Sequence, residues 1–313
     1  MAKPIGGGSI REAELPGAAE VAWPAPVARS ESPLAQGLRR LRRSATAIVG
    51  VVIVAVLLLV AIFADVLAPM SPIASDHTRT FAPPSWEHPL GTDQLGRDML
   101  SRVIHGTRIS LLVGVSSVLL ALFVGVPLGM IAGYYGGRVD TGVMRMMDLI
   151  LAFPIYLLAI ILMVIFTPTA GLIGTMKVTG AIAIVRIPIY ARLVRGSVLS
   201  IKEKEYVEAC RALGVRDPWI LFGHVLPNCL APIIVTTTLG IATAIIVEAT
   251  LSFLGLGTQP PTPSWGWDLK ANVAFIQANM WLSLFPGLAI FVTVLGFNLF
   301  GDGLRDALDP RLK

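Results

Sequence analysis

Residues 174–194 read GTMKVTGAIAIVRIPIYARLV, and whether this stretch crosses a bilayer decides the fold. It carries Lys177, Arg186 and Arg192, so hydropathy alone leaves it open. The rest of the chain requires a membrane. Of 313 residues, 54% are hydrophobic and 14% charged, whereas an average soluble domain is about one-quarter charged. A mean hydropathy of +0.73 over this length leaves too little polar surface to face water. An ordinary cytosolic enzyme is thereby excluded, and a polytopic, all-α membrane protein is expected. Two cysteines exclude a disulfide scaffold or a cysteine metal cluster. The net charge of +5 marks cytoplasmic loops in such a protein rather than nucleic-acid binding.

The other spans are legible as charge-free windows, each long enough for the roughly 20 apolar residues that a bilayer core needs. Span one lies between Arg43 and Asp65, and span two between Arg108 and Arg138. Span three follows Asp148 and ends near Phe166; span five runs from about Leu230 to Leu254 with a single charge, Glu248; span six runs from about Trp281 to Phe300. Residues 1–38, rich in Gly, Ala, Pro and Glu, read as a disordered tail and not as a secretory signal. Arg39, Arg40, Arg42 and Arg43 put the amino terminus in the cytoplasm. If 174–194 is a span, the six basic residues of 192–216 are cytoplasmic as well, as are Arg138, Arg145 and the carboxyl tail. Without it those six lie outside, against the positive-inside rule. Six spans with both ends inside are therefore expected, and Arg186 must face protein or water.

The segment between spans four and five, residues 201–227, reads IKEKEYVEACRALGVRDPWILFGHVLP. Tyr206, Cys210 and Leu213, with Val207 and Ala209, share one helical face. Gly214 is placed as a helix terminator, Asp217-Pro218 as a cap and first-turn proline, and Pro227 as the end of a second short helix. A DNA-reading helix-turn-helix has the same outline, but both ends here are tied to the bilayer.

Glu208-Ala209-Cys210, three residues, Gly214, nine residues and His224-Val225-Leu226-Pro227 resemble the EAA loop of bacterial ABC importer permeases. Cys210 and His224 stand where that pattern has Ala and Ile. The resemblance implies a coupling helix, carried by Glu208, Ala209, Cys210, Gly214, Leu226 and Pro227, that docks into a groove on a cytoplasmic ATPase. Residues 90–98 (LGTDQLGRD), Gly106–Leu111, Leu251–Gly257, the Pro260–Gly266 segment and Gly301–Arg311 resemble the C-type permease of dipeptide and oligopeptide importers. Importers of glutathione, nickel and other small solutes share them. The implied architecture is that of a type I importer permease in the bacterial plasma membrane: a tail at 1–43, a first span and external loop at 44–107, a core at 108–303 with the coupling loop at 195–228, and a tail at 304–313. The implied partners are a homologous permease, two ATPase subunits or domains that hold ATP and magnesium, and an extracytoplasmic solute-binding protein.

From the residues alone, 92–105 reads as an amphipathic helix on the outer membrane face, and 258–270 as an external loop with interfacial aromatics. Both are candidates for an interface anchor or for the landing surface of a solute-delivering protein. No phosphate loop, zinc spacing or nucleophile elbow is present, so no catalytic residue, metal or cofactor is assigned to this chain. A secondary transporter would need inverted repeats or several intramembrane charges; an intramembrane enzyme would need a nucleophile paired with a base at membrane depth. Neither pattern is visible. Asp148, Arg186 and Glu248 are the charges at membrane depth, each expected to face the bundle interior. Glu248 either lines a pathway or locks neighbouring helix ends, and no direct Arg186–Glu248 salt bridge is expected. A reporter fused at residue 210 is expected to register the cytoplasm; an external signal there would overturn the topology.

Overall fold

The structure is a computed structural model that describes residues 44–308. The expected disordered tail, its arginines and the last five residues lie outside the described residues. Among the described residues there is no β-strand, only two isolated bridges. The helices are α1 (Ala45–Ile62), α2 (Ala64–Leu67), α3 (Met99–Tyr135), α4 (Gly137–Leu151), α5 (Ile155–Phe166), α6 (Gly171–Ile201), α7 (Glu205–Ala212), α8 (Asp217–Ile220), α9 (Leu226–Phe253), α10 (Trp265–Asn272) and α11 (Trp281–Leu308).

Five helical stretches are long and apolar enough to cross a membrane: α1, α3, α6, the run from α8 through α9, and α11. The stretch with three basic residues is therefore a helix, and a longer one than its apolar centre indicates. The third span differs from expectation. It is broken into α4 and α5, which meet at 88°. Pro154 cannot donate into the preceding turn and disfavours helical geometry at the residue before it. Alone, α5 rises about 18 Å, well short of a hydrocarbon core of about 30 Å. Strongly amphipathic α4 lies along the end of α6, where Arg195 binds Asp140 and Arg192 binds Asp148.

The most extensive interface joins α3 to α6. In lipid, helices gain from close packing rather than from a hydrophobic drive, so small residues line their contacts. Gly125, Gly129 and Gly133 recur every four residues on one side of α3. A Cβ at Gly129 would stand 2.4 Å from the Ala191 carbonyl oxygen, and one at Gly125 would stand 2.8 Å from that of Ile187. The backbones touch there, and Val178, Ala181, Ile182 and Tyr190 of α6 close the core against Val113, Val118 and Ala121 of α3. The peripheral α1 packs on α11 in the same way, with Gly50 against Phe300 and Gly303 against Ala47. Replacing Gly129 with Leu should force α3 from α6 and cost about 3 kcal/mol, the upper range for overpacking. Gly142→Ala, where a Cβ meets nothing within 4 Å, should leave the melting temperature unchanged. Equal melting temperatures for the two variants would contradict this packing.

Candidate functional site

Three groups of functional side chains were legible in the sequence, and the structure treats them differently. The first is the segment between α6 and α9. Helix α7 ends at Ala212 with Leu213 as its cap, and Gly214 follows at φ +74. Its N–H donates to the Arg211 carbonyl, and the Val215 N–H to that of Cys210. This is the left-handed helix stop that glycine adopts without Cβ strain. Helix α8 starts at Asp217 with Pro218 in its first turn. Pro227 does not end the second helix. The chain passes through a π turn, Leu221–Val225, straight into α9, and Pro227 occupies the first turn of α9.

The inner face of this unit is Val207, Ile220, Leu221 and Val225, packed against Met130 and Tyr134 of α3 and Val194, Val198 and Ile201 of α6. Val207, rather than Tyr206 or Leu213, anchors α7. Leu213 and Trp219 are 82% and 72% exposed, while Phe222 is exposed in an apolar groove beside Phe123, Val126 and Ile131 of α3. Glu208 and Ala209 are exposed, Cys210 and Leu226 half-buried. Among the described residues no salt bridge joins Glu208 to Lys204, so the Glu208 carboxylate is presented outward.

A brace that the sequence did not disclose fixes this unit to α3. The Tyr134 hydroxyl donates to Asp217 Oδ1 over 2.7 Å. The Arg211 guanidinium lies 4.9 Å from the centre of the Tyr134 ring, a cation–π contact. Lys202 Nζ donates to the Gly133 carbonyl oxygen over 3.0 Å. Both α7 and α8 are thus tied to the last turn of α3. Tyr134 and Asp217 are 83 residues apart, and only their place at element ends pointed to the contact.

The second group lies at the opposite end of the bundle. Residues 92–105 are not an amphipathic helix lying on a surface. Asp98 caps α3, accepting from the Ser101 N–H and hydroxyl and lying 3.0 Å from His88 Nδ1. Asp93 takes Arg97. Arg102 donates through Nε and Nη2 to Asp268 Oδ1, at 2.8 and 2.5 Å, and through Nη1 to the Pro72 carbonyl oxygen. Both partners of that pair are 1% exposed. Burial pushes the Asp268 carboxyl up, and Arg102 opposes the shift. Trp265, fully buried, donates to the Val103 carbonyl oxygen over 2.9 Å. The charged residues expected to form a landing surface are therefore interior, because they clamp residues 70–98 and α10 onto the start of α3. His105 lies in α3 beside Asp65, which also takes Arg108.

The third group is the membrane-depth charges. Glu248 is fully buried. It accepts from Ser252 over 2.8 Å and from Ser110 over 3.3 Å, and Ser252 in turn accepts from the Thr258 N–H. This joins α9 to α3 and to the turn after α9, the geometry of a structural lock. Asp148 departs from expectation. It is half-exposed at the edge of α4, paired with Arg192, because α4 lies across the end of the bundle instead of entering it. Arg186 is buried between α6 and α9, and no Arg186–Glu248 salt bridge forms. No cluster among the described residues is arranged to hold a metal ion.

An all-helical multi-pass bundle with a braced, outward-facing two-helix loop defines a membrane transport subunit. The model for the binding-protein-dependent transport system inner membrane component matches residues 125–313, and that for the N-terminal TM domain of oligopeptide transport permease C matches 32–84. The chain belongs to the family of binding-protein-dependent transport system inner membrane components. Among its relatives, the dipeptide transport system permease protein DppC of Alkalihalophilus pseudofirmus is 46% identical, over 90% of this chain and 91% of the relative. DppC of Escherichia coli K12 is 46% identical over 90% and 94%. The glutathione transport system permease protein GsiD of Pectobacterium atrosepticum is 44% identical over 92% and 95%. The same fold occurs in a chain of the MetNI methionine ABC transporter in its inward-facing conformation, with TM-score 0.55 and 18% identity, covering 67% of this chain and 98% of that one.

Arg102→Met and Asp268→Leu should each cost about 3–5 kcal/mol in the assembled protein, since each strands a buried charge. The double variant should recover most of that loss in thermal unfolding. Additive losses would show that the two side chains act separately.

Proposed function

We propose that this chain is one of two permease subunits of an ATP-driven importer of dipeptides or oligopeptides. It forms half of the translocation pathway with a homologous partner. Two ATPase subunits, which bind ATP and magnesium, dock at the α7–α8 end; an extracytoplasmic solute-binding protein delivers solute to the other. The α7–α8 end, with both chain termini, faces the cytoplasm of a bacterial plasma membrane. The observation that carries the proposal is the exposed Leu213 and Trp219 together with the outward Glu208, on a unit whose inner face is locked to α3 and α6. Large apolar side chains gathered on a water-facing tip fit a protein groove. Glu208 supplies a charge for an Arg or a helix N-terminus on the ATPase. Push or pull on α7 then reaches α3 through Tyr134, as a rigid-body transition between two arrangements. Glutathione is the second reading, favoured by the name of the Pectobacterium relative.

Gly214→Val tests the docking unit. A Cβ there meets no neighbour, so any loss comes from forcing a β-branched residue to positive φ, a penalty of at least roughly 1–2 kcal/mol. Uptake of a labelled dipeptide should collapse and ATP hydrolysis uncouple, while Gly214→Asn should retain most transport. Normal coupling in the Val variant would rule out this docking geometry. Competition by unlabelled glutathione in the same assay separates the two solutes.

A further inference from the structure

Among the described residues Arg186 has no counter-ion. Its side chain lies in the middle of α6, 7% exposed, and among the described residues it donates no hydrogen bond, with Nε buried and unpartnered. The hydroxyl of Tyr190, one turn further along α6, is also buried, beside the Arg186 guanidinium and the Thr237 hydroxyl of α9 but in full hydrogen-bond geometry with neither. The two converge on one notch. A Cβ on Gly240 of α9 would stand 2.7 Å from Tyr190 Oη and 2.8 Å from Arg186 Nη2, so the glycine is what allows both polar groups to lie against α9. A guanidinium at this depth is costly unless it is paired or hydrated.

No acid among the described residues is placed to pair with it. Helices α3, α5 and α6 contain no Asp or Glu. On α4, Asp140 is held by Arg195 and Asp148 by Arg192. The one acid of α9, Glu248, lies two turns beyond Gly240, about 12 Å along the axis, and is held by Ser110 and Ser252. The described residues therefore leave the guanidinium open to an anion that they do not supply. A planar guanidinium beside a hydroxyl donor matches a carboxylate.

We propose that Arg186 and Tyr190 form a carboxylate-binding site at mid-membrane depth, filled transiently by the carboxylate of the transported solute. The assignment of the solute rests on the peptide-importer reading, since every free peptide carries a terminal carboxylate; the carboxylate site itself does not. Arg186 supplies the charge and the fork of N–H donors, and Tyr190 supplies one further O–H. A bound carboxylate gives the passing solute a foothold that an uncharged solute lacks.

Two measurements on the complete transporter test this. In proteoliposomes supplied with excess binding protein, Arg186→Gln should raise the KM for Ala-Ala about tenfold or more. It should change uptake of Ala-Ala amide by less than about twofold, and Tyr190→Phe should follow with a smaller change. An equal loss for acid and amide would overturn the assignment, and it is the pattern expected if an acidic side chain of the homologous permease fills the notch instead. The second measurement needs neither peptide nor binding protein. N-acetylalanine should raise the melting temperature of the purified wild-type complex, N-acetylalanine amide should not, and Arg186→Gln should abolish the difference. An acid-specific shift that survives in Arg186→Gln, or no acid-specific shift in wild type, would refute the carboxylate site. Failure of wild type to import Ala-Ala, with the stability result intact, would overturn the peptide reading alone.

Discussion

Backbone contact between α3 and α6 is the constraint on which the rest of the molecule depends. Gly125, Gly129 and Gly133 bring the two helices together with no side chain from α3 between them, as expected where lipid offers no hydrophobic incentive to associate and packing must supply the energy. At one end the paired helices extend past the apolar stretch, and the α7–α8 unit sits on them through Val207, Ile220 and Val225. At the other end the start of α3 carries the Arg102–Asp268 clamp and the Trp265 contact. The α7–α8 unit and the loops at the opposite end are therefore attached to the same long helix, and a displacement at one end has a stiff path to the other.

Buried charge follows one rule through the structure. In a medium that does not solvate ions, each charge must find a partner or water. Arg102 has Asp268, Arg97 has Asp93, Asp98 has His88, and Glu248 has two serine hydroxyls. These pairs fasten residues 70–98, α10 and the turn after α9 onto the bundle. Arg186 is the exception among the described residues: its Nε is buried with no partner.

What could be read from the sequence divides along physical lines. Charge-free windows located α1, α3, α9 and α11, because a lipid-facing helix is selected over its whole length. The helix around Arg186 was recoverable only from the distribution of basic residues. The break between α4 and α5 was not, since Pro154 in a membrane helix is compatible with a straight crossing as well as with an 88° bend. In the docking segment, Gly214 and Pro218 were legible because each fixes a local backbone geometry, and Pro227 was misjudged because a proline fits the first turn of a helix as well as a chain break. The outer clamp was illegible. Arg102 and Asp268 are 166 residues apart, and local periodicity around Arg97, Asp98 and Arg102 suggests a wet surface where tertiary packing makes an interior.

The central claim is that the α7–α8 unit and the end of α3 move as one body through Tyr134, Asp217 and Arg211. Pulsed dipolar spectroscopy on the assembled transporter tests it directly, with spin labels at the exposed positions Ala209 and Tyr135. The account predicts one distance distribution whose mean is the same without nucleotide and with ATP bound. A nucleotide-dependent shift of about a helical turn, roughly 5 Å, in a transporter still competent for uptake would show that the loop slides over α3 instead of carrying it.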